Sequence, residues 1–353
     1  MSSRALERLD AVQAFLPRRR YEELPGDHVP FDELNREAGT ERRLRRLILA
    51  DEGLIFVVGP SGAGKSSLIA ATTNGLPADK YAPISVRVAA LDEEVVDPLK
   101  MTLHILREVR AHAEGRQLTK AQRRRIEEAA ADKRIARGGH SRLDAGLRLM
   151  PLPGLTNDLR VSLASSALDR EYGSTLTDAT EGMVRLRGMF EHHGRVPVFI
   201  MEDTDAWLRG PGARDQEPDV AEAFFTKNIA RIARELEITL IVAAHDTYVD
   251  TPGYQRARDV MAGEIAVPHL SNPQHAIRAI LRRRIERTDV ETYVEDVFAD
   301  EAIVRLEAEY DRGRSIRRLL RVAHEALEAA GPTFPKRITA GHIRTAAIGD
   351  HRP

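Results

Sequence analysis

Apolar residues along this chain come in two rhythms. Short unbroken runs, Leu54-Ile55-Phe56-Val57-Val58, Val196-Pro197-Val198-Phe199-Ile200-Met201 and Ile238-Thr239-Leu240-Ile241-Val242-Ala243-Ala244, are rich in β-branched side chains. Runs of this kind predict buried parallel strands, and Ala82 to Val88 predicts a further one. Between them lie longer segments with helical spacing. Thr40 reads as the N-cap of a helix running to Ala50. A helix opens at Ser67 and stops at Asn74-Gly75-Leu76-Pro77. The next spans Asp97 to His112, with Leu99, Leu103, Ile105, Leu106 and Val109 on its apolar side. Helices from Leu176 to His193 and from Val220 to Leu236 follow, and a short one is read from Tyr254 to Met261. Strands alternating with helices predict an α/β fold, a parallel sheet sandwiched by helices.

From Leu270 onward the pattern is helical only: His275 to Arg287, Glu301 to Tyr310, Ser315 to Ala330 and Ala340 to Ile348. That shift marks a small all-helical domain over 270–353, after a core over 51–269 and a helical lead-in over 1–50. Residues 114–175 fit no core element and read as an insertion. It carries a charged helix from Gln122 to Arg137, closed by Gly138-Gly139, and two further short segments, Leu147 to Gly154 and Arg160 to Leu163.

Composition narrows the chemistry. The 353 residues are 30% charged and 42% hydrophobic with a net charge of −1, so partners must be argued from local patches. There are no cysteines, which excludes disulfides, thiolate metal sites and cysteine nucleophiles and suits a reducing compartment. The N-terminus lacks a signal-peptide core and no run has transmembrane length, so a cytoplasmic protein without a membrane partner is expected.

Gly59-Pro60-Ser61-Gly62-Ala63-Gly64-Lys65-Ser66 is a complete G-x-x-x-x-G-K-[ST] motif, set between a predicted strand and the helix opening at Ser67. Its glycines let backbone N–H groups curl round phosphate oxygens, and the helix N-terminus adds its dipole. Lys65 would reach the β- and γ-phosphates and Ser66 would offer its hydroxyl to Mg²⁺. Residues 59 to 67 are therefore the predicted ATP-binding set, with ATP and Mg²⁺ as cofactors.

An ATPase also needs a carboxylate to orient Mg²⁺ and another to polarise the attacking water, both at the end of a neighbouring buried strand. Val198-Phe199-Ile200-Met201-Glu202-Asp203 supplies both. Two assignments stay open: Glu202 on the metal side with Asp203 on the water side, or the reverse. The following strand ends in His245-Asp246, and His245 is a candidate γ-phosphate sensor. No other metal site is expected, because the histidines, His192-His193 among them, lack ligand spacing.

Together these residues resemble the AAA+ ATPases, nearest the initiator and origin-recognition type, with transposition-regulator and STAND-type ATPases beside it. The resemblance rests on the phosphate loop, the Glu202-Asp203-Thr204-Asp205 exit, the polar strand end at His245, the link from Gly263 to Ser271 and the helical tail. It implies a P-loop sheet followed by a helical lid. Gly313-Arg314-Ser315-Ile316-Arg317-Arg318 is similar to the family's second sensor, which implies that Arg317 reaches the γ-phosphate. Arg256 and Arg258 stand where the family puts an arginine finger that completes a neighbouring subunit's site, which implies a homo-oligomer. The chain departs from the family in placing Glu202 before Asp203 and in having one extra residue between Gly313 and Arg317. It shows no winged-helix pattern before Pro353, and that weighs against origin binding.

The resemblance implies an ATP-hydrolysing switch working through assembly or a partner. A STAND-like module with slow turnover is the alternative, and a small-molecule kinase a weaker one, set against the sensor-like tail. The insertion is a candidate surface for DNA or a partner protein, since Arg123-Arg124-Arg125 and Lys133-Arg134 could neutralise phosphates; the alternative is a solvated face, which is the commoner use of such residues and which Glu127-Glu128 suit.

Overall fold

The structure is a computed structural model that describes residues 3–17, 23–35, 39–50, 53–88, 97–113, 175–202, 204, 220–236, 238–330 and 337–349. The expected insertion at 114–175 thus lies almost wholly outside the described residues, as do Asp203 and Asp205. Five parallel strands form one sheet: β1 (Leu54–Val58), β2 (Tyr81–Arg87), β3 (Val196–Glu202), β4 (Thr239–Ala244) and β5 (Met261–Ala266), in the order β2-β3-β4-β1-β5. Every residue of β1 is buried, as expected of a central parallel strand covered on both faces.

Period-two alternation divides the core between the two faces of the sheet. Ile55, Val57, Val198, Ile200, Ile241 and Ala243 point to one side. There they meet Leu44 and Ile48 of α4 (Thr40–Leu49), Leu68 and Ile69 of α5 (Lys65–Asn74), and a core continuous with the C-terminal helices. Phe56, Val58, Ile84, Val86, Phe199, Met201, Leu240 and Val242 point to the other. They pack on α6 (Pro98–Ala113), on α7 (Leu176–His192), and on α8, a helix over 220–236 that is π-helical at Phe224–Ile229. On this side α9 (Pro252–Arg258) inserts Tyr254, whose ring lies 4.6 Å from that of Phe56.

The helical domain comprises α10 (Pro273–Glu286), α11 (Val294–Val297), α12 (Asp300–Asp311), α13 (Ile316–Ala329) and α14 (Ala340–Gly349). The N-terminal helices α1 (Ser3–Ala11), α2 (Leu24–Asp27) and α3 (Phe31–Asn35) pack into the same core. Phe15 meets Phe298 edge-on at 5.3 Å, and buried Asp27 pairs with Arg284 of α10 at 2.9 Å and with Arg287, the C-cap of that helix, at 2.7 Å.

Three expectations are corrected. Gly39, at φ 114°, and not Thr40, is the N-cap of α4, since a left-handed backbone there suits a residue without Cβ. The helix read over 254–261 is α9, which ends at Arg258. Met261 begins β5, an edge strand that Gly263 and Glu264 hide from an apolar pattern. Gly263 is needed there because a Cβ would sit 2.6 Å from Leu47 Cδ1 of α4.

Candidate functional site

The phosphate loop leaves β1 at the edge of the sheet where β4 and β5 also end. The Gly59 amide donates to Ala244 O at 3.2 Å and the Val267 amide to Val58 O at 2.8 Å, so three strand ends are tied together under the loop. Gly62 (φ 78°) and Gly64 (φ 105°) take left-handed backbone conformations that wind the loop into α5. A Cβ on Gly59 would press on Val267 at 3.2 Å. Lys65, buried, donates from Nζ to Gly59 O at 2.7 Å and Pro60 O at 3.0 Å, which holds its ammonium inside the loop's curve. The two left-handed glycines, the enclosed ammonium and a ten-residue helix starting at Lys65 fit a polyphosphate.

The lid reaches this loop directly. Arg317 donates its amide to Gly62 O at 3.2 Å. A Cβ added to Gly62 would overlap Ser315 Oγ and come 2.9 Å from Arg317 Cβ. Ser315 also caps α13, its Oγ accepting the Arg318 amide at 3.2 Å. Two helix N-termini, those of α5 and α13, therefore converge on one loop, a setting that favours negative charge. Arg314, next to Gly313, is itself left-handed (φ 50°), and its Nη1 lies 2.7 Å from His269 Nε2.

Behind α13, Glu309 is fully buried and holds Arg318 at 3.3 Å, Arg312 at 3.0 Å and Arg305 at 3.2 Å. The Tyr310 hydroxyl accepts the Leu270 amide at 3.2 Å, and burial pushes its pKa up. These contacts fix the first turn of α13 relative to the link from the core.

Glu202 ends β3, two strands from β1, on the sheet face that also carries α5. It is buried, and Ser85 Oγ donates to Glu202 Oε2 at 2.9 Å across the β2–β3 pair. Next along the chain, Thr204 Oγ1 donates to Ala243 O at 2.5 Å, pinning the exit of β3 to β4. Ser66 is the second residue of α5, and of the residues expected to hold Mg²⁺ it and Glu202 are described while Asp203 is not.

His245 directly follows Ala244, the residue that accepts the Gly59 amide. Its Nδ1 caps the one-turn helix Asp246–Tyr248 by accepting the Thr247 amide at 3.2 Å, which leaves Nε2 as the ring atom for an outside ligand.

Arg256 and Arg258 are not brought to this loop. They lie on α9, which packs on the sheet face opposite α5, where Arg256 pairs with Glu222 at 2.6 Å and Arg258 approaches Glu264 at 3.9 Å. Glu264 also accepts from Tyr254 at 2.9 Å; burial, then that carboxylate, pushes the Tyr254 pKa up.

The sequence reading missed the lead-in's part in the site. His28 Nδ1 lies 3.1 Å from Ser67 Oγ, and its Nε2 lies 3.0 Å from Glu41 Oε1, which also accepts the Phe31 amide at 2.8 Å. A Cβ on Gly64 would meet Phe31 Cζ at 3.5 Å. Burial alone would raise the Glu41 pKa, but the His28 and Phe31 bonds outweigh it and hold the carboxyl below its ordinary range. The available signal was the short run His28-Val29-Pro30-Phe31 directly after Pro25-Gly26-Asp27.

No family model matches the chain, and no curated protein matches it in sequence. In structure it is similar to the ORC1 protein of Aeropyrum pernix in complex with DNA: 17% identity, TM-score 0.47, 94% of this chain and 69% of the other. It is also similar to the ADP form of the Aeropyrum pernix ORC2 protein, at 14% identity and TM-score 0.49, over 93% of this chain and 72% of the other. Drosophila ORC bound to DNA aligns at 12% identity and TM-score 0.41, over 98% and 74%. The sheet order, the glycine-rich loop at the end of β1 and the helix seated on that loop make this an α/β P-loop fold, a parallel sheet sandwiched by helices, followed by a helical domain.

Proposed function

We propose that this chain binds ATP with Mg²⁺ at residues 59 to 67 and hydrolyses it slowly or in an assembly, using nucleotide state to set the position of its lid. The observation that carries this reading is the contact between Gly62 and the first turn of α13. A helix that rests on the phosphate loop must respond to what the loop holds. In this reading Lys65 and the loop amides hold the phosphates, Ser66 and Glu202 with Asp203 hold Mg²⁺, and one of the two carboxylates orients the attacking water. Nε2 of His245 and the guanidinium of Arg317 would sense the γ-phosphate, and the ion, when bound, would neutralise phosphate charge.

A polyanion partner is proposed on a separate observation. Arg42, Arg43, Arg45 and Arg46 of α4 are all exposed, and none forms an ion pair among the described residues. With Arg123-Arg124-Arg125 of the insertion they would favour a nucleic-acid backbone. The decisive experiment measures ATP binding and turnover, with and without DNA, for the wild type and Lys65→Ala. Binding and turnover lost in the variant, with its unfolding curve retained, support the reading. Undiminished binding and turnover in Lys65→Ala overturn it.

A further inference from the structure

Away from the phosphate loop, the C-terminal ends of α1 and α13 lie against one another and bring together Asp10, His324 and Glu328. One ligand atom from each, a carboxylate oxygen from Asp10 and Glu328 and a ring nitrogen from His324, lies within 4.8 Å of the other two. We propose that these three residues form a binding site for a single divalent transition-metal ion of the zinc class.

Four observations carry it. The first is electrostatic. Asp10 is the last residue but one of α1 and Glu328 the last but one of α13. Each carboxylate thus stands in the last turn of a helix, where the dipole is negative and a cation is preferred. α13 has no basic residue in that turn, and Arg8 of α1 donates instead to Asp289 O at 3.0 Å. Two carboxylates and an imidazole thus share one spot beside two negative helix ends.

The second is the histidine. His324 is 6% exposed, so packing holds its ring with Nε2 on the side of Glu328. The third is distance. His324 Nε2 lies 3.4 Å from Glu328 Oε1. That is long for a charge-assisted hydrogen bond, which runs to about 2.9 Å. It matches the separation of neighbouring ligands on a tetrahedral ion with bonds of about 2.1 Å, roughly 3.4 Å. The fourth is spacing. His324 and Glu328 stand four apart on one helix, so a single face presents both, and α1 supplies the third ligand.

One imidazole with two carboxylates suits Zn²⁺ or Co²⁺, leaving a fourth position for water; an ion of the Mg²⁺ type would take oxygen alone. The ion would bind α1 to α13, the helix whose other end rests on Gly62. The inference does not depend on nucleotide binding.

The test is a Co²⁺ titration of the full chain after chelator treatment, read by visible d–d absorption and competed with Zn²⁺. One equivalent is expected, retained in Lys65→Ala. Asp10→Asn and His324→Gln should each weaken it about tenfold or more. Zn²⁺ should raise the unfolding temperature of the wild type and of Lys65→Ala, and of neither ligand variant. If His324→Gln does not fold, Asp10→Asn and Glu328→Gln, which alter less buried carboxylates, give the same readout. Absence of stoichiometric binding, binding unchanged in Asp10→Asn, or binding lost in Lys65→Ala would each overturn the proposal. So would stabilisation by acid with no response to metal, which would identify a protonated His324 paired with the two carboxylates.

Discussion

Gly62, in the phosphate loop, accepts the backbone amide of Arg317, in the first turn of the lid helix α13, at 3.2 Å. Both partners of this bond are main-chain groups, so it depends on how closely the two backbones approach. Gly62 permits that approach twice over: its φ of 78° is one L residues rarely adopt, and a Cβ would overlap Ser315 Oγ.

Gly62→Ala should therefore push the lid off the loop and strain the loop at once, at a cost of about 1–3 kcal/mol. A lowered unfolding temperature together with weakened nucleotide binding is the expected result. Gly313→Ala is the control, since a Cβ there meets nothing within 4 Å. Equal behaviour of the two variants would remove the lid contact from the account.

Arg317→Ala keeps the amide and loses the guanidinium. It should slow ATP turnover more than it weakens ADP binding, because a γ-phosphate contact exists only with ATP. Parallel titrations of ATP and ADP against turnover check this. Equal losses for both nucleotides would place the side chain in the lid's packing instead.

Much of this site was legible in the sequence, for a physical reason. Gly59 to Ser66 is a contiguous motif whose chemistry is local, and β1, β3 and β4 are continuous apolar runs because both their faces are covered. What stayed hidden comes together only through tertiary packing. His28 and Phe31 lie in a segment with no periodicity, yet they meet Ser67 and Gly64 through the fold. β5 was read as a link because Gly263 is small to admit Leu47 and Glu264 serves Tyr254, so neither looks like a strand residue. Arg317 is singled out by resemblance alone, and what the structure shows is its amide on Gly62, whereas Ser315, which caps its helix and touches the loop, carries no signal beyond a serine before a helix.

Glu202→Gln and Asp203→Asn should separate metal binding from water activation. The variant that loses the metal ligand should bind ATP weakly in Mg²⁺. The one that loses the water-polarising acid should bind normally and turn over about 10²-fold to 10⁴-fold slower. Ser85→Ala should resemble a mild form of Glu202→Gln, since Ser85 Oγ orients that carboxylate. Normal turnover in both carboxylate variants would move the chemistry off this strand end.

Glu41 provides a pH test. Its carboxyl titrates below the ordinary glutamate range in the folded chain, so its contribution is present above the unfolded value and fades as pH falls through the folded one. Stability of the wild type should decline on the acid side of that range more steeply than that of Glu41→Gln, which cannot titrate. Thermal unfolding between about pH 3 and pH 7 of the two chains reads the difference. Curves of the same shape would mean that the bonds to His28 and Phe31 do not discriminate between the charged and neutral carboxyl.

Arg256 and Arg258 set the question of assembly. Both lie on α9, on the face of the sheet away from α5 and the lid, and the Arg256 side chain is 67% exposed. A guanidinium placed so is on the far side of the sheet from its own phosphate loop, and in the proposed assembly it would serve a neighbour's. Its pair with Glu222 must then break on assembly, and for a surface pair that costs at most about 1 kcal/mol. A finger contributes about 10³-fold or more to phosphoryl-transfer rate. Specific activity should therefore rise with protein concentration. Mixing Arg256→Ala/Arg258→Ala with Lys65→Ala should restore part of the activity that each lacks, because some interfaces pair an intact finger with an intact loop. Glu222→Gln should favour the active assembly slightly by freeing Arg256. Turnover independent of concentration, with no recovery on mixing, would leave the two arginines as surface partners of Glu222 and Glu264 alone.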